Sequence, residues 1–268
     1  MNSASDAWTY CFLIPVYNHA ALLEQTIPRF LSFGIPLIIV DDGSNEENKA
    51  ILKRIAGSSP DIVLISNIQN SGKGVAIKQG IVYCKQHAID FAFQVDADNQ
   101  HSLAAVPAFM SRSRAQKNKK HSIIGYPVYD STVPAIRRDG RKVSNFFVSV
   151  TTLTPNVRDS LCGFRIYPVA ETWKIYRNPF ISKRMPIDME LLTRLYWRGV
   201  SIIYLPVDVT YPENGSSHYK AFRDTVILSA KHAFLCCEMF FRFPVIFFMH
   251  LNGGCIHEAL VKDERSIR

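Results

Sequence analysis

The sequence predicts an α/β fold: a doubly wound, mostly parallel sheet, flanked by helices and carrying an amphipathic helical segment at its C-terminal end. Three observations lead there. Short, continuous apolar runs suit strands covered on both faces. These runs alternate with stretches of helical spacing, the signature of a parallel sheet with crossover helices. Polar clusters follow three of the runs, and in open α/β sheets ligands bind beyond the carboxyl ends of the strands.

Residues 10–16 (YCFLIPV) read as the first strand, and 20–33 have helical spacing, with Leu22, Leu23, Ile27, Phe30 and Leu31 on one side. Residues 35–40 form a second strand that ends in Asp41-Asp42-Gly43-Ser44. Ser44 with Glu47 matches a capping box, which predicts a helix from there to about Gly57. Residues 62–65 are a third strand, 73–87 a helix, and 91–95 a fourth strand running into Asp96-Ala97-Asp98. A helix over about 102–117 and a strand at 123–124 complete the unit. The second half is less regular. Arg137, Arg138 and Arg141 read as a basic loop ahead of a helical stretch near 142–152, with a helix over 188–198 and a strand over 202–205. Residues 212–217 (PENGSS) are a loop by composition.

A chain of 268 residues, 47% hydrophobic and 20% charged, suits one α/β domain with an appendage, so the boundaries fall at 1–219 and 220–268. The net charge of +8 points to anionic partners: nucleotide phosphates or anionic lipid. No nucleic-acid recognition module is legible. None of the six cysteines forms a C-x-x-C pair, which fits reduced, buried thiols in a cytoplasmic protein. Residues 1–10 lack the features of a signal peptide, and no charge-free stretch reaches the length of a membrane span. The expectation is a protein that stays in the cytoplasm, soluble or peripheral on the inner face of a membrane.

The chemistry concentrates at the strand ends. In Asp96-Ala97-Asp98, residues i and i+2 of an extended segment share a face, so two hard carboxylates converge. They suit Mg²⁺ or Mn²⁺, with Gln100 able to add a carbonyl oxygen. A carboxylate after the second strand can accept from a ribose hydroxyl or a base N–H, although Asp-Gly also makes ordinary turns. Asn70-Ser71-Gly72-Lys73-Gly74 opens a helix, where glycines admit close approach and the helix N-terminus favours negative charge. Asp188 and Glu190 are candidates for a general base; they equally suit the acidic first turn of a helix.

Taken in order, Ile14-Pro15-Val16-Tyr17-Asn18, Val40-Asp41-Asp42-Gly43-Ser44, Asn70 with Gly72-Lys73-Gly74, Asp96-Ala97-Asp98 with Gln100, and Asp159 with Gly163-Phe164-Arg165 resemble the family 2 glycosyltransferases of the GT-A fold. Within that family the chain is similar to the dolichyl-phosphate mannosyltransferases and other polyprenyl-phosphate glycosyltransferases, over about residues 10–215. The resemblance implies that Pro15, Tyr17, Asn18, Asp41, Asp42, Lys73 and Asp96 bind a nucleotide-diphosphate sugar. It implies that Asp96, Asp98 and Gln100 hold Mg²⁺ or Mn²⁺, and that Arg137 and Arg165 compensate phosphate charge. Arg138, Arg141 and His218 are candidates for an acceptor or lid contact. The implied activity is an inverting, metal-dependent transfer to a lipid-linked acceptor. Transfer to a soluble acceptor, sugar nucleotidyl transfer and non-catalytic binding of a nucleotide sugar are the alternatives.

Residues 221–249 are apolar and aromatic, with Lys231, Glu238 and Arg242 on a separate face. With Pro244 as a breaker, they read as an amphipathic helix and a second short apolar piece lying in a membrane interface, neither long enough to span. Packing on the core and a homodimer contact are the alternatives.

Overall fold

Strands β1 (Tyr10–Val16) and β2 (Leu37–Asp41) are apolar because they lie inside the sheet with helices on both sides, while β3 (Ile62–Ser66) is its partly buried edge. On β1, Phe12 and Ile14 enter one core while Cys11 and Leu13 enter the other. The same alternation splits Leu37 and Ile39 from Ile38 and Val40 on β2. Successive side chains point to opposite faces, so a strand buried on both sides needs a continuous apolar run. The computed structural model describes the backbone of residues 8–129, 135–210, 221–251 and 256–258, and the side chains of 8–128, 140–210 and 225–249. The predicted loop 212–217 and His218 lie outside the described residues, as do the side chains of Arg137 and Arg138.

The remaining strands are β4 (Phe91–Gln94), β5 (His121–Tyr129), β6 (Arg165–Pro168), β7 (Ser201–Val209) and β8 (Ile256–Glu258). They form one sheet in the order β3-β2-β1-β4-β6-β5-β7-β8. All neighbours are parallel except β6, which runs antiparallel to both β4 and β5. The mostly parallel sheet expected from sequence is therefore present, with one reversed strand at its centre. That strand places Arg165 opposite Gln94, so the loop entering β6 meets the chain leaving β4.

Helices α1 (Ala20–Leu31), α2 (Glu46–Gly57) and α4 (Val106–Arg114) cover one face. The other face is covered by α3 (Lys73–Gln86), α5 (Ala135–Thr152), α6 (Val169–Ile175), α7 (Ile187–Trp197) and α8 (Ala221–Leu251). Every residue of α7 is buried, because it is sandwiched between the sheet and the outer helices α5, α6 and α8.

Several expectations are corrected. The capping box at Ser44 does not form: Asn45 is the N-cap of α2 and its side chain accepts from Asn48 N. The Ser44 hydroxyl instead accepts from Asn18 N, a tie between two strand ends. The expected helix over 102–117 is shorter, a 3-10 turn at Leu103–Ala105 followed by α4. The basic loop is the start of α5, so the backbones of Arg137, Arg138 and Arg141 are helical. No helix breaker stands between Pro134 and Thr152 except Gly140, and the apolar spacing of Val143, Phe146 and Val150 extends upstream. Pro244 does not end the C-terminal helix, and α8 runs 31 residues through it. Within it, Thr225–Met249 is long and apolar enough to cross a membrane by length and composition alone, contrary to expectation. Pro244 costs one i→i−4 bond on an exposed side of a helix whose flanks remain strongly apolar, and the helix continues.

Candidate active site

Three strand ends and the first turns of two helices, α3 and α7, build the site. Val16 at the end of β1 lies beside Asp41 at the end of β2, and β4 ends next to β1. Asn18 occupies the left-handed region at φ 56°, and its side-chain oxygen accepts from Asn45 N at 2.9 Å. With the Ser44 contact, this sews the β1 and β2 ends together. Pro15 and Tyr17 are half-buried beside them.

Asp41 and Asp42 are both buried, with different duties. Asp42 Oδ1 accepts from Ser71 N at 2.9 Å and Asn67 Nδ2 at 3.2 Å, and Oδ2 from Gly72 N at 2.7 Å. It therefore shapes the loop that leads into α3. Asp41 Oδ1 accepts from Ser44 N at 2.9 Å, while its Oδ2 is buried without a partner. Gly43, at φ +73°, packs so close to the Gln69–Asn70 backbone that a Cβ would collide with it.

The centre is an ionic bridge. Lys73, the first residue of α3, places Nζ 2.8 Å from Asp96 Oδ2 and 2.7 Å from Asp188 Oδ2. Gln94 Nε2 donates to Asp96 Oδ1 at 3.1 Å and to Asp188 Oδ1 at 3.2 Å. Burial opposes the Lys73 charge, but the carboxylates of Asp188 and Asp96 outweigh it and raise its pKa. For Asp96, burial likewise pulls against the Lys73 ammonium, and the ammonium prevails, so the carboxyl sits below its ordinary range. Asp98 differs: burial and the neighbouring Asp96 charge push its pKa up. Asp98 Oδ1 accepts from Gln100 N at 3.2 Å.

The loop entering β6 forms the floor. Asp159 Oδ1 accepts from Leu161 N and Cys162 N, while Oδ2 pairs with Arg141 at 2.6 Å. Arg141 is thus held by a carboxylate of this loop. Gly163 lies directly beneath Asp96, and a Cβ there would collide with both carboxylate oxygens. Arg165 is fully buried, and its guanidinium donates to the carbonyls of Cys162, Asp188 and Ser160. It braces Asp188 from behind, in place of the phosphate contact expected of it.

Of the predicted site residues, the structure brings Lys73, Asp96 and Asp188 into contact, with Asp98 and Gln100 at their edge. It does not bring Glu190 there. Glu190 is fully buried on the far side of α7, pairing with Arg194 at 2.8 Å and Lys231 at 3.2 Å and accepting from Ser182 N at 2.8 Å. Two nearby residues escaped sequence reasoning. Gln94 is a polar residue in an otherwise apolar four-residue strand, and that mismatch was its signal. His101 has an orphaned, buried Nδ1, sits with Nε2 3.4 Å from Cys162 Sγ, and is pushed by burial below its ordinary pKa. The described cysteines are all free thiols; Cys11, Cys84 and Cys162 are buried, while Cys236 is partly exposed and Cys237 exposed.

A family model described as glycosyl transferase family 2 matches residues 11–175. A dolichyl-phosphate β-glucosyltransferase of Trichomonas vaginalis is 25% identical over 235 residues, which cover 81% of this chain and 68% of that protein. An undecaprenyl-phosphate 4-deoxy-4-formamido-L-arabinose transferase of Pseudomonas savastanoi pv. phaseolicola is 28% identical over 163 residues, 58% of this chain and 46% of that one. The chain thus spans between about half and two thirds of the length of these two relatives. Among solved structures, a glucosyl-3-phosphoglycerate synthase of Mycobacterium tuberculosis with Mn²⁺ and uridine-diphosphate-glucose superposes at TM-score 0.63 with 15% identity, covering 87% of this chain and 79% of that one. The mannosyltransferase of Pyrobaculum calidifontis with GDP-Man and Mn²⁺ superposes at 0.53, also with 15% identity, covering 92% and 75%. Those likenesses give the GT-A fold. The family match and the sheet agree, and the chain belongs to glycosyl transferase family 2 as a glycosyltransferase.

Proposed function

We propose that this glycosyltransferase inverts the sugar it transfers, uses Mg²⁺ or Mn²⁺, takes a nucleotide-diphosphate sugar as donor, and delivers to a polyprenyl-phosphate acceptor. The observation that carries the reading is the acidic pair at the tip of β4. Asp98 is destabilised as an anion by burial and by Asp96, a combination that a divalent cation relieves. Among the described residues, no group of three or more His, Cys, Asp or Glu is placed to hold a metal ion. A carboxylate pair fits Mg²⁺ or Mn²⁺, which take one or two carboxylates and complete their shell from substrate phosphates and water. Asp96 and Asp98 would hold the ion, with Gln100 beside them, and it would stabilise charge on the departing diphosphate.

The chain's own groups account for the rest. The orphaned Asp41 Oδ2 suits a ribose hydroxyl or base N–H. Lys73 brings a fixed positive charge to Asp96 from the N-terminus of α3, where phosphate is favoured. Asp188 shares Lys73 and Gln94 with Asp96 but is only 3% exposed against 24% for Asp96, which suits orientation of Lys73 better than proton abstraction from an acceptor. An acceptor phosphate is ionised at neutral pH and needs no base. The named lipid-phosphate acceptors of the relatives support the same choice.

We also propose a membrane-peripheral placement, on the cytoplasmic side; α8 supports the membrane surface and not the side. Its charged Lys231 and Glu238 turn inward to α7, while Phe240, Phe241 and Phe248 are 75%, 83% and 63% exposed. Such a helix suits an interface with the domain beside it. Crossing the bilayer would carry the Arg194–Glu238 pair into hydrocarbon, at high cost.

The test is a thermal-shift panel of nucleoside diphosphates with and without Mn²⁺, followed by transfer from the stabilising nucleotide's sugar to polyprenyl phosphate in vesicles. Metal-dependent stabilisation and release of nucleoside diphosphate are expected. Stabilisation without metal, or release of pyrophosphate, would overturn the reading.

A further inference from the structure

One ionic cluster lies outside the site yet sits on α7, which carries Asp188, and touches the chain that packs against the start of α3. Glu190 and Arg194 stand one turn apart on α7, with side chains 0% and 5% exposed. Glu238 on α8 clasps Arg194 with both oxygens, at 3.0 and 2.8 Å, and Arg242 at 3.0 Å. Lys231 on α8 reaches Glu190 at 3.2 Å and donates to Phe180 O at 2.9 Å. Burial opposes the Arg194 charge, but Glu238 and Glu190 raise its pKa above the ordinary value. Glu190 and Arg194, so enclosed, cannot exchange their partners for water without large cost, while Lys231 and Glu238 on α8 are 16% and 20% exposed.

Two paths leave this cluster for the active site. The first is short: Asp188 is two residues before Glu190 on the same first turn of α7. The second runs through the chain ahead of α7. Glu190 Oε2 accepts from Ser182 N at 2.8 Å. The next carbonyl, Lys183 O, accepts from Gly74 N at 2.9 Å and Val75 N at 3.3 Å, the first amides after Lys73. A Cβ on Gly74 would collide with Ser182 O, so this contact is as close as two backbones allow. Both carriers of the Asp188–Lys73 pair are therefore held by groups that Glu190 holds, and Glu190 is held by α8.

We propose that the Glu190–Arg194–Glu238–Lys231 cluster is a latch that sets the position of Asp188 and Lys73 by reference to α8, making Glu190 and Glu238 positioning residues for sugar transfer. The proposal rests on reading Lys73, Asp96 and Asp188 as the transfer site. Because the outward face of α8 is the apolar one, whatever surface that face meets is connected through the latch to the Lys73–Asp188 pair.

The experiment uses the full chain with Glu238→Gln, and Lys231→Met in case the first variant folds poorly. Amide hydrogen exchange is followed at Ser182, Gly74 and Val75. Faster exchange at these three amides is expected in either variant, with the far strands β1 and β2 unchanged. In transfer assays kcat should fall about tenfold or more while KM for the donor holds, the scale on which small misplacements register. Combined with Asp188→Asn, Glu238→Gln should add no further loss, because both changes act on one group. Exchange changes confined to α8 and the C-terminal half of α7 would overturn the latch. So would kinetic losses that multiply in the double variant. A wild-type chain that releases no nucleoside diphosphate from any donor would instead overturn the transfer reading, and the three amides would still decide the coupling.

Discussion

Asp188 and Glu190 stand two residues apart on α7 and end in opposite surroundings. Asp188 meets Lys73 in a cluster whose side chains are 13% and 24% exposed at Lys73 and Asp96. Glu190 meets Arg194 at 0% and 5% exposure, with Lys231 and Glu238, 16% and 20% exposed, at the rim of the cluster. Both are carboxylate–cation networks, but the centre of the first stands at strand ends within reach of a ligand, and the centre of the second is sealed between helices. Open charge at the end of a parallel strand is available for chemistry; closed charge between helices fixes geometry.

The comparison can be broken by substitution. Asp98→Asn, on the open side, should lower transfer on the order of a hundred- to a thousandfold, the scale of a lost electrostatic stabiliser, with little change in Tm. A steady-state assay beside a melting curve reads both, and a matching loss of Tm would erase the distinction. Arg194→Met, on the closed side, should do the reverse, costing about 3 kcal/mol of stability by stripping the fully buried Glu190 of its arginine, with Lys231 as the cation left on Glu190 and Arg242 on Glu238. Urea unfolding measures that cost, and a loss below about 1 kcal/mol would show the cluster to be exchangeable with water.

The closed side also has an acid limit. His232 of α8 is buried between Phe147 and the Ser144 hydroxyl, and burial depresses its pKa to about 4. The neutral form is favoured in the fold, so its stability is complete above the unfolded pKa near 6.5 and is lost as pH falls towards 4. The loss should reach up to roughly 3 kcal/mol. His232→Phe should flatten stability between pH 6.5 and 4 in a denaturant series, and an unchanged slope would assign the loss to other groups. Gly163→Ala pushes on the Asp96 carboxylate and should lower activity about tenfold, with a smaller stability change than Arg194→Met. Arg54→Ala breaks an exposed pair with Glu24 and should cost less than about 1 kcal/mol, a baseline for the closed cluster.

The open cluster was largely legible from sequence because its residues follow apolar strands. Asp41 and Asp96 stand where buried runs end, and Lys73 stands at a helix start marked by glycines. The closed cluster was not legible. Glu190, Arg194, Lys231 and Glu238 each look like ordinary helix-surface charges, and only the burial of α7 on all sides makes them partners. Strand β6 was missed for a related reason: four residues, one of them arginine, give no apolar run. The capping box failed because Asn18, 26 residues from Ser44, competed for its hydroxyl. Pro244 was overruled by the apolar flanks that keep α8 helical. At Ser44 and in the closed cluster a long-range partner outweighed a local preference.

The reversed strand β6 has a consequence for how such a cleft can diversify. Because β6 runs against β4, the segment 153–163 arrives at the end of β4 that leads into Asp96. Its exposed tip, Pro155 and Asn156, can change in length without shifting any strand register. Asp159, Cys162 and Gly163 are the fixed anchors of any such graft, because they hold Arg141, Arg165 and the space beneath Asp96.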